Sequence, residues 1–327
     1  MKGMKKSVGV DIGNHSIKLI ELEDKKGHLT LTKCALSRIV RGDIESALRN
    51  LMSLTKLSLR HVNVSLSGSA VIVRYIEMPP MKEEELKSAI KFEAEKYIPF
   101  TINDSIVDCA ILDKTLAGTQ RVLLVAVKKN EVDNLVKLFK NVGMDINIVD
   151  IDSLALLNSF QRLNLDADKK NTYAIIDMGA RFLNMNIISD GKVYFTRDIL
   201  GGGADIVRRI SDVMGVSLEE AEALQQNPAE KKAEISSVAM PVMERIISQI
   251  RMSFDYFESQ IGKSVERLYI SGGVSYLFNM VDFLKDNLGI ETILWNPLDG
   301  ISVLESIEEV ERFPALFTVA VGLALRK

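Results

Sequence analysis

Two short motifs in this sequence place an aspartate and a glycine directly after a run of apolar residues. The first is Asp11-Ile12-Gly13, after residues 7–10, and the second is Asp177-Met178-Gly179, after residues 172–176. Each pattern predicts a carboxylate at the carboxyl end of a buried strand, followed by a glycine turn. Open α/β sheets bind ligands beyond that edge. The two carboxylates could therefore face one ligand, although either motif alone could merely end a strand.

The residues that follow the first motif suit a phosphate group. The turn Gly13-Asn14-His15-Ser16 exposes backbone amides that can surround phosphate oxygens, and the Ser16 hydroxyl adds a donor. Lys18 adds a point charge of the kind that binds phosphate. For His15 only the backbone is implicated. Two carboxylates that face a polyphosphate need a cation between them, and Mg²⁺ fits because it accepts carboxylates, phosphate oxygens and water.

Two further glycine motifs follow predicted strands. Gly272 and Gly273 come after residues 267–270 and would let a flat group such as adenosine approach the backbone closely. Gly201-Gly202-Gly203 precedes a predicted helix at 204–214. It could aim the helix N-terminus at a phosphate, or it could simply form a tight turn. Neither motif identifies a ligand by itself, because such loops are common.

The elements that position these motifs occur twice. A strand, a hairpin turn and a strand follow the first motif at 16–39, and the same order returns at 182–199. The aspartates and glycines of the two motifs lie 166 positions apart in each case. This repeat indicates an internal duplication of one supersecondary unit, and it predicts an α/β fold with two related halves.

Composition excludes several classes of protein. The 327 residues are 47% hydrophobic and 26% charged, which predicts two or three folded domains. A net charge of −3 offers no basic excess for nucleic acid. Two distant cysteines and three scattered histidines argue against a disulfide framework and a structural metal held by side chains. The first residues do not predict a targeting segment, and the apolar run at 313–325 is shorter than the about 20 residues that span a bilayer.

A segment of different character separates the two halves. A strand closed by Pro79-Pro80 precedes an acidic and apolar helix from Lys82 to about Tyr97, where Pro99 stops it. Two more strands complete a small α+β unit, which we interpret as an insertion over residues 74–128. Its aromatic residues exceed what a nucleotide-binding fold requires. They could dock a peptide, or they could pack the unit's own core; they are Phe92, Tyr97 and Phe100.

The order of the motifs resembles the actin-like ATPase superfamily along the whole chain. That order is phosphate loop, Asp-Ile-Asp-Ser connection at 150–153, second phosphate loop, Gly-Gly loop and small-residue closing helix. Two segments narrow the resemblance to the family of the type IV pilus assembly protein PilM, which is related to the cell-division protein FtsA. They are VDIGNHSIKLIEL at 10–22, and MPP at 78–80 together with FEAEKYIPF at 92–100. The second match is the more specific, because those residues have no role in nucleotide chemistry.

This resemblance implies an actin-like ATPase fold with two duplicated lobes around a nucleotide cleft. Residues 1–73 and 129–170 would form the first lobe, together with a closing helix at 314–327. Residues 74–128 would form an inserted small α+β subdomain of the SHS2 type. Residues 171–313 would form the second lobe.

The resemblance also implies that ATP and Mg²⁺ bind between the lobes. Asp11 and Asp177 would hold Mg²⁺ through water, and Asp152 takes the position at which relatives carry a Glu or Gln that positions the attacking water. Because Asp is one methylene shorter, we expect weak ATPase activity or none; Asp152 could equally act as a helix N-cap. Arg251 lies where relatives touch adenine and ribose, although an exposed helix face explains it as well. The nucleotide-binding set would be Asp11, Gly13, Asn14, His15, Ser16, Lys18, Asp177, Gly179, Gly202, Gly203, Arg251, Gly272 and Gly273.

A partner follows from the same resemblance. PilM-like proteins are cytoplasmic and recruit the N-terminal cytoplasmic tail of the membrane protein PilN, in a groove between the first lobe and the insertion. We therefore expect a cytoplasmic protein that reaches the inner face of the cytoplasmic membrane through its partner and that could self-associate.

Three alternatives are an FtsA-like division protein, a filament-forming actin relative, and a sugar or acetate kinase. FtsA relatives carry an amphipathic tail after the closing helix, and this sequence stops at Leu325-Arg326-Lys327. A kinase of this fold needs a polar substrate pocket. At that position this chain instead has the insertion, whose sequence is typical of a docking surface. The sequence does not exclude filaments, and it leaves open whether a pilus, a competence system or a secretion system is served.

Overall fold

A computed structural model describes residues 4–57, 61–114, 118–163, 171–304 and 308–326. The strands of these residues are β1 (Met4–Ile12), β2 (Ser16–Lys25), β3 (His28–Arg38), β4 (His61–Leu66), β5 (Val71–Met78), β6 (Ser105–Lys114), β7 (Gln120–Lys128), β8 (Asp145–Ile151), β9 (Thr172–Met178), β10 (Phe182–Ser189), β11 (Lys192–Leu200), β12 (Arg267–Ser271), β13 (Glu291–Leu294) and β14 (Ser302–Val303). The helices are α1 (Ile44–Thr55), α2 (Glu83–Ala94), α3 (Lys129–Asn141), α4 (Asp152–Gln161), α5 (Gly203–Met214), α6 (Leu218–Gln226), α7 (Lys232–Ile261), α8 (Met280–Leu288), α9 (Glu308–Arg312) and α10 (Thr318–Leu325).

The first lobe is built on a mixed sheet with the strand order β14-β3-β2-β1-β4-β8. β1, β2 and β3 form an antiparallel meander, and β4 joins β1 in parallel. Both faces of β2 are buried, and its four apolar residues divide between the two faces. Ile17 and Leu19 pack beneath α1 and α3, while Ile20 and Leu22 face the closing helix α10.

The second lobe repeats this topology in the order β11-β10-β9-β12-β13. β9, β10 and β11 form the meander, and β12 joins β9 in parallel. α5, α7 and α8 cover one face through a large apolar core. The duplication inferred from the sequence is therefore confirmed at the level of strand order, and the carboxyl ends of β1 and β9 take matching places in the two sheets.

Two helices join the lobes, because each of them packs against a lobe other than the one that precedes it in the chain. α4 follows β8 of the first lobe, yet its Leu156 and Phe160 pack against second-lobe residues including Tyr269 and Trp295. α10 closes the chain, yet it packs against β1 and β2 of the first lobe. The two helices meet where Gly322 lies against the backbone of Ala155.

The predicted lobe boundaries need correction in two places. β14 pairs with β3, and Leu298, Ile301 and Val310 contribute to the core under α10, so the first lobe begins again well before residue 314. α4, predicted to belong to the first lobe, divides its contacts between both. The lobe to which a helix or strand belongs depends on the surface that it covers, and local sequence patterns do not encode that surface. The predicted boundary at 170 and the final residue of the 314–327 helix lie outside the described residues.

The insertion forms a small sheet, ordered β5-β7-β6, with α2 packed on one face. Leu86, Ile90 and Ala94 of α2 are buried against this sheet, as their spacing predicts. Phe92 is 78% exposed, so it does not pack the unit's own core. α2 also ends three residues earlier than predicted, at Ala94, and a turn continues to Tyr97.

Helical elements near the glycine loops also differ from their predicted bounds. α7 begins at Lys232 and continues through Pro241. α8 begins at Met280, because the residues after Gly272 form a short 3₁₀ turn, Gly273–Tyr276, before the helix. A similar turn, Pro314–Phe317, precedes α10. Within the described residues, no helix is both long and apolar enough to cross a membrane.

The approach of α10 to α4 leads to a stability prediction. A Cβ atom on Gly322 would overlap the carbonyl group of Ala155, which is backbone and cannot swing aside. We expect Gly322→Ala to lower the free energy of unfolding by more than ~3 kcal/mol in urea denaturation. Gly143→Ala is the control, since Gly143 has φ +77° and open space around its Cα, so that only backbone strain of about 1 kcal/mol is added. Equal losses in both variants would contradict the tight interface.

Candidate functional site

The two Asp-x-Gly motifs form turns of the same geometry. The Gly13 amide donates to the Ser16 carbonyl at 3.1 Å, and the Gly179 amide donates to the Phe182 carbonyl at 3.1 Å. A Cβ atom on either glycine would come within about 3 Å of that same carbonyl oxygen. Both glycines are therefore required by the turn itself. Their amides are already used, so a phosphate could be met by the amides that follow in each turn.

Asp11 and Lys18 form an ion pair at the end of the first turn. They lie opposite each other on β1 and β2, and Lys18 Nζ is 3.0 Å from Asp11 Oδ2. Burial opposes the lysine charge, but Asp11, together with Asp177 and Asp152, raises the Lys18 pKa above its usual value. The ammonium group therefore stays charged and faces carboxylates from both lobes. In the second lobe the duplicated position is Asn184, so this cation has no counterpart there.

Asp177 ends β9 next to the glycine loop after β12. Ser271 Oγ donates to Asp177 Oδ1 at 2.8 Å, across the parallel pair of strands. Burial raises the Asp177 pKa to about 6, and the negative charge of Asp11 adds to this rise, while Ser271 and Lys18 oppose it. The two carboxylates are thus close enough to interact, as the sequence predicts for the carboxyl ends of the central strands.

Asp152 is the first residue of α4 and lies in the same cleft. The residue before it, Ile151, takes the N-cap position, so the N-cap role considered for Asp152 is wrong. Burial and the charge of Asp11 raise the Asp152 pKa to about 7, and Asp198 adds to the rise. The hydroxyls of Ser65 and Ser67, at the end of β4, act in the opposite direction.

The glycine run before α5 packs tightly instead of opening toward a ligand. The Gly203 amide donates to the Gly179 carbonyl at 3.1 Å, and the Ala204 amide donates to the Ala180 carbonyl at 2.8 Å. A Cβ atom on Gly202 would overlap these same carbonyl groups. Of the two interpretations of Gly201-Gly202-Gly203, the tight turn is therefore the one that its hydrogen bonds favour. Gly202 and Gly203 do lie directly on the second phosphate turn.

Gly272 and Gly273 link the second lobe to the segment that returns to the first. Gly272 has φ +83°, and a Cβ atom there would lie 2.6 Å from the Met178 carbonyl oxygen. Its amide donates to the Ala315 carbonyl at 2.9 Å, and the Ala315 amide donates to the Tyr276 hydroxyl at 2.9 Å. Gly272 is thus explained by close backbone packing at the cleft floor, while Gly273 meets only the Leu316 side chain at ordinary contact distance.

Arg251 is not brought to the cleft. Its guanidinium donates to the carbonyl of Asn287, near the end of α8. α8 connects the parallel strands β12 and β13, so its last turn lies at the sheet edge opposite the carboxyl ends. The predicted adenosine contact by Arg251 is therefore not supported. Helical periodicity gives the face of a residue on α7 but not its distance along the axis from the cleft.

His15 does more than its predicted backbone role. Its Nε2 lies 3.2 Å from Glu222 Oε1 of α6, and Arg38 NH2 lies 2.6 Å from the same oxygen. Burial lowers the His15 pKa, which Glu222 counteracts. This group, the His15–Glu222–Arg38 bridge, joins the first phosphate turn to the second lobe. Glu222 carries no local sequence signal, because its role depends on a contact across more than two hundred residues.

A divalent cation with retained water fits the carboxylates of this cleft. Within the described ranges, no group of three or more His, Cys, Asp or Glu side chains is arranged to hold a metal by itself. Asp11 and Asp177 supply two carboxylates from opposite lobes, and burial together with the charge of Asp11 raises the pKa of Asp177, which a bound cation would oppose. Mg²⁺ suits such a site, since it binds one or two carboxylates and completes its shell with phosphate oxygens and water.

Comparison with known proteins identifies one family. The sequence profile of the family described as type IV pilus assembly protein PilM matches residues 9–327. The cell division protein FtsA of Streptococcus pneumoniae is 24% identical over 345 residues, which cover 88% of this chain and 75% of FtsA. FtsA of Enterococcus faecalis is 23% identical over 80% of this chain and 67% of its own.

Two solved structures share the fold. A chain of the PilM-PilN type IV pilus biogenesis complex superimposes with a TM-score of 0.89 and 25% identity, over 98% of both chains. The ethanolamine utilization protein EutJ from Carboxydothermus hydrogenoformans superimposes with a TM-score of 0.59 and 15% identity, over 98% of this chain and 89% of EutJ.

The crowding of carboxylates predicts a pH-dependent effect of Asp152→Asn. A pKa raised to about 7 means that the folded state holds this proton more tightly than the unfolded state, so stability is lost as pH rises toward 7. Asn imitates the neutral acid and avoids that loss. We expect the variant's advantage in free energy of unfolding to grow by on the order of 2 kcal/mol between about pH 4 and pH 7.5.

Urea denaturation of the ligand-free protein in EDTA measures this difference. Asp133→Asn, which changes an exposed carboxyl on α3, is the control and should track the parent at every pH. A difference between Asp152→Asn and parent that does not vary with pH would show that burial and neighbouring charge do not raise the pKa of Asp152.

Proposed function

Because the chain belongs to the type IV pilus assembly protein PilM family, we propose that it is a cytoplasmic ATP-binding adaptor of a pilus or secretion assembly platform. In this role it docks the cytoplasmic tail of a PilN-like membrane protein and reaches the inner face of the membrane through that partner. The observation that supports this most directly is the likeness to the PilM-PilN complex over 98% of both chains.

The nucleotide part of the proposal is supported by the cleft. The two Asp-x-Gly turns are closed by equivalent hydrogen bonds, and the charged Lys18 interacts with carboxylates of both lobes. In this arrangement Asp11 and Asp177 hold the hydration shell of Mg²⁺, and the amides after Gly13 and Gly179 meet phosphate oxygens. When bound, Mg²⁺ neutralises phosphate charge and relieves the repulsion between the carboxylates.

We propose slow ATP hydrolysis, with Asp152 as the residue that positions the attacking water. Its carboxyl lies between Asp11 and the serines at the end of β4, on the floor of the cleft. A pKa near 7 leaves much of this group protonated at neutral pH in the ligand-free protein, and a protonated carboxyl is a poor acceptor for a proton from water. Binding and docking, rather than rapid turnover, are therefore the proposed activities.

The partner part of the proposal is supported by a cavity beside the base of the insertion. The cavity has a volume of about 200 Å³ and opens where the chain leaves β4 and where it returns in α3. Apolar and polar side chains alternate in its wall, which suits a peptide held by a few apolar anchors and by hydrogen bonds. The lining residues are Ile12, Ser65, Leu66, Ser67, Glu131, Asn134, Leu135 and Leu138.

The FtsA matches favour a second candidate, a division protein or another filament-forming relative. Identity to FtsA is as high as 24% and covers most of the chain. The pilus interpretation is preferred because the family profile spans residues 9–327 and the PilM-PilN likeness covers nearly all of both chains. Self-association is compatible with either candidate.

Lys18→Ala tests nucleotide binding. Removal of a desolvated ammonium group that faces phosphate should cost about 1.5–3 kcal/mol, or roughly tenfold or more in the dissociation constant of Mg²⁺-ATP. Isothermal titration calorimetry measures this constant. Lys25→Ala is the matched control, because Lys25 lies on the same strand, pairs with Glu23 at 3.1 Å and is remote from the cleft. Unchanged affinity in Lys18→Ala would remove this residue from the site.

Asn134→Arg tests the docking cavity. The new side chain would fill the mouth of the cavity, so we expect the affinity for a PilN-like tail peptide to fall about tenfold. Asp133→Arg introduces the same side chain at an exposed neighbour that does not line the cavity. Fluorescence anisotropy with a labelled peptide measures both variants. If Asn134→Arg binds the peptide as tightly as Asp133→Arg does, the partner docks elsewhere.

A further inference from the structure

β11 contacts the insertion along most of its length. β11 is the edge strand of the second-lobe sheet, with β10 as its sheet neighbour. Every second residue from 192 to 198 makes a polar or aromatic contact with the insertion or with the turn that leads to it. The pairs are Lys192 with Asp113, Tyr194 with Arg121, Thr196 with Tyr75, and Asp198 with Gly68.

The geometry of these contacts is specific. Lys192 Nζ lies 2.9 Å from Asp113 Oδ2, and the Arg121 guanidinium lies 4.0 Å above the centre of the Tyr194 ring. The Tyr75 and Thr196 hydroxyls are 2.7 Å apart, and the Gly68 amide donates to Asp198 Oδ2 at 2.8 Å. The four contacts span about 20 Å of β11. A β-bulge between Val193 and Phe195 interrupts the alternation of faces between Lys192 and Thr196.

The row is partly buried, with Lys192 at its exposed end, where half of the side chain reaches solvent. The side chains of Arg121 and Asp113 are only 12% and 16% exposed, and they form an ion pair with each other within the insertion. Burial raises the pKa of Tyr75 to about 12, so its hydroxyl stays neutral and available for hydrogen bonding. Thr196 passes the hydrogen bond on to Asn186 Oδ1 at 2.7 Å. A partly buried polar row of this kind favours one relative position of the two surfaces.

These contacts join the two lobes, because the insertion belongs by chain connection to the first lobe. It leaves β4 through Gly68 and returns through α3, so its covalent links are to first-lobe elements. Gly68 follows Ser67 directly, and the Ser67 hydroxyl lies near Asp152 in the cleft. Asp198, which receives the Gly68 amide, also acts electrostatically on Asp152. The base of the insertion therefore touches the cleft, the docking cavity and β11 together.

We propose that the insertion is a strap between the lobes, fastened along alternate residues of β11, and that it couples occupancy of the peptide cavity to occupancy of the nucleotide cleft. This rests on the proposed function for the identity of the two ligands. Rotation of one lobe against the other shifts β11 relative to first-lobe elements. If the insertion moves with β11, the shape of the cavity at the base of the insertion changes. If the insertion does not move with β11, the row of contacts is broken.

Coupling of this kind is reciprocal, so the peptide must change ATP affinity by the same factor by which ATP changes peptide affinity. The strap also predicts how the coupling changes when the row of contacts is weakened. Without the row of contacts the insertion stays with the first lobe during lobe rotation, so the cavity no longer senses the cleft.

The test uses the full-length double variant Tyr75→Phe/Lys192→Ala, which removes one hydroxyl and one ammonium group from the row. Lys263→Ala is the matched control, because Lys263 forms a similar ion pair with Asp190 within the second lobe at 2.6 Å. The dissociation constant of Mg²⁺-ATP is measured by calorimetry with and without a saturating synthetic peptide of the PilN-like tail. We expect the peptide to change it about fivefold or more in the parent and in Lys263→Ala, and below about twofold in the double variant.

A second measurement needs no ligand. Hydrogen exchange of the ligand-free protein should become about fivefold faster in β5 and in the Gly68 turn of the double variant, and should stay at parent values in Lys263→Ala. Unchanged exchange would show that the insertion is not fastened to β11.

The two measurements separate the strap from the function. The coupling would be overturned if the double variant exchanged faster while the peptide still changed its ATP affinity as much as in the parent. It would also be overturned if the peptide did not change the ATP affinity of the parent. Failure of the parent to bind ATP or peptide would refute the proposed function and the coupling together, while the exchange data would still decide whether the insertion is fastened.

Discussion

The close approach of α10 to the backbones on either side of it determines the shape of the whole molecule. Gly9 of β1 lies against Ala320 of α10, and Gly322 of α10 lies against Ala155 of α4, with no room for a Cβ atom at either glycine. At these two points backbone packs against backbone, so the distance from β1 to α4 leaves almost no freedom. Asp11 ends β1 and Asp152 begins α4. The separation of these two carboxylates follows directly from that packing.

A consequence is that the cleft contains more negative charge than its own groups neutralise. Asp11 is paired with Lys18, but Asp177 and Asp152 both have raised pKa values because they are desolvated and lie near Asp11. A fold that holds carboxylates this way gives up stability near neutral pH. The same arrangement favours any ligand that brings a cation. The rigid packing around α10 therefore also maintains the electrostatic repulsion between the carboxylates of the cleft.

Much of this site could be predicted from local sequence. The Asp-x-Gly turns, Lys18 and the Gly-Gly loop are each defined by residues that lie within a few positions of one another. The bridge from His15 to Glu222, the contact of Asp198 with Gly68 and the pairing of β14 with β3 could not be predicted, because each joins residues distant in sequence. Arg251 shows the complementary error. Its position on an amphipathic helix was correct, but periodicity contains no information about which end of the helix reaches the cleft.

The His15–Glu222–Arg38 bridge gives the cleft a sensitivity to its ionic surroundings. The His15 and Arg38 side chains are 42% and 52% exposed, so mobile ions reach the bridge. At 0.1 M salt, charges at the surface are screened over about 10 Å, and at lower salt they act over longer distances. Salt therefore loosens this link between α6 and the first phosphate turn without touching the buried pair of Asp11 and Lys18. The rate at which the cleft admits and releases ligands should thus follow ionic strength, while the charge pairing at its floor should not.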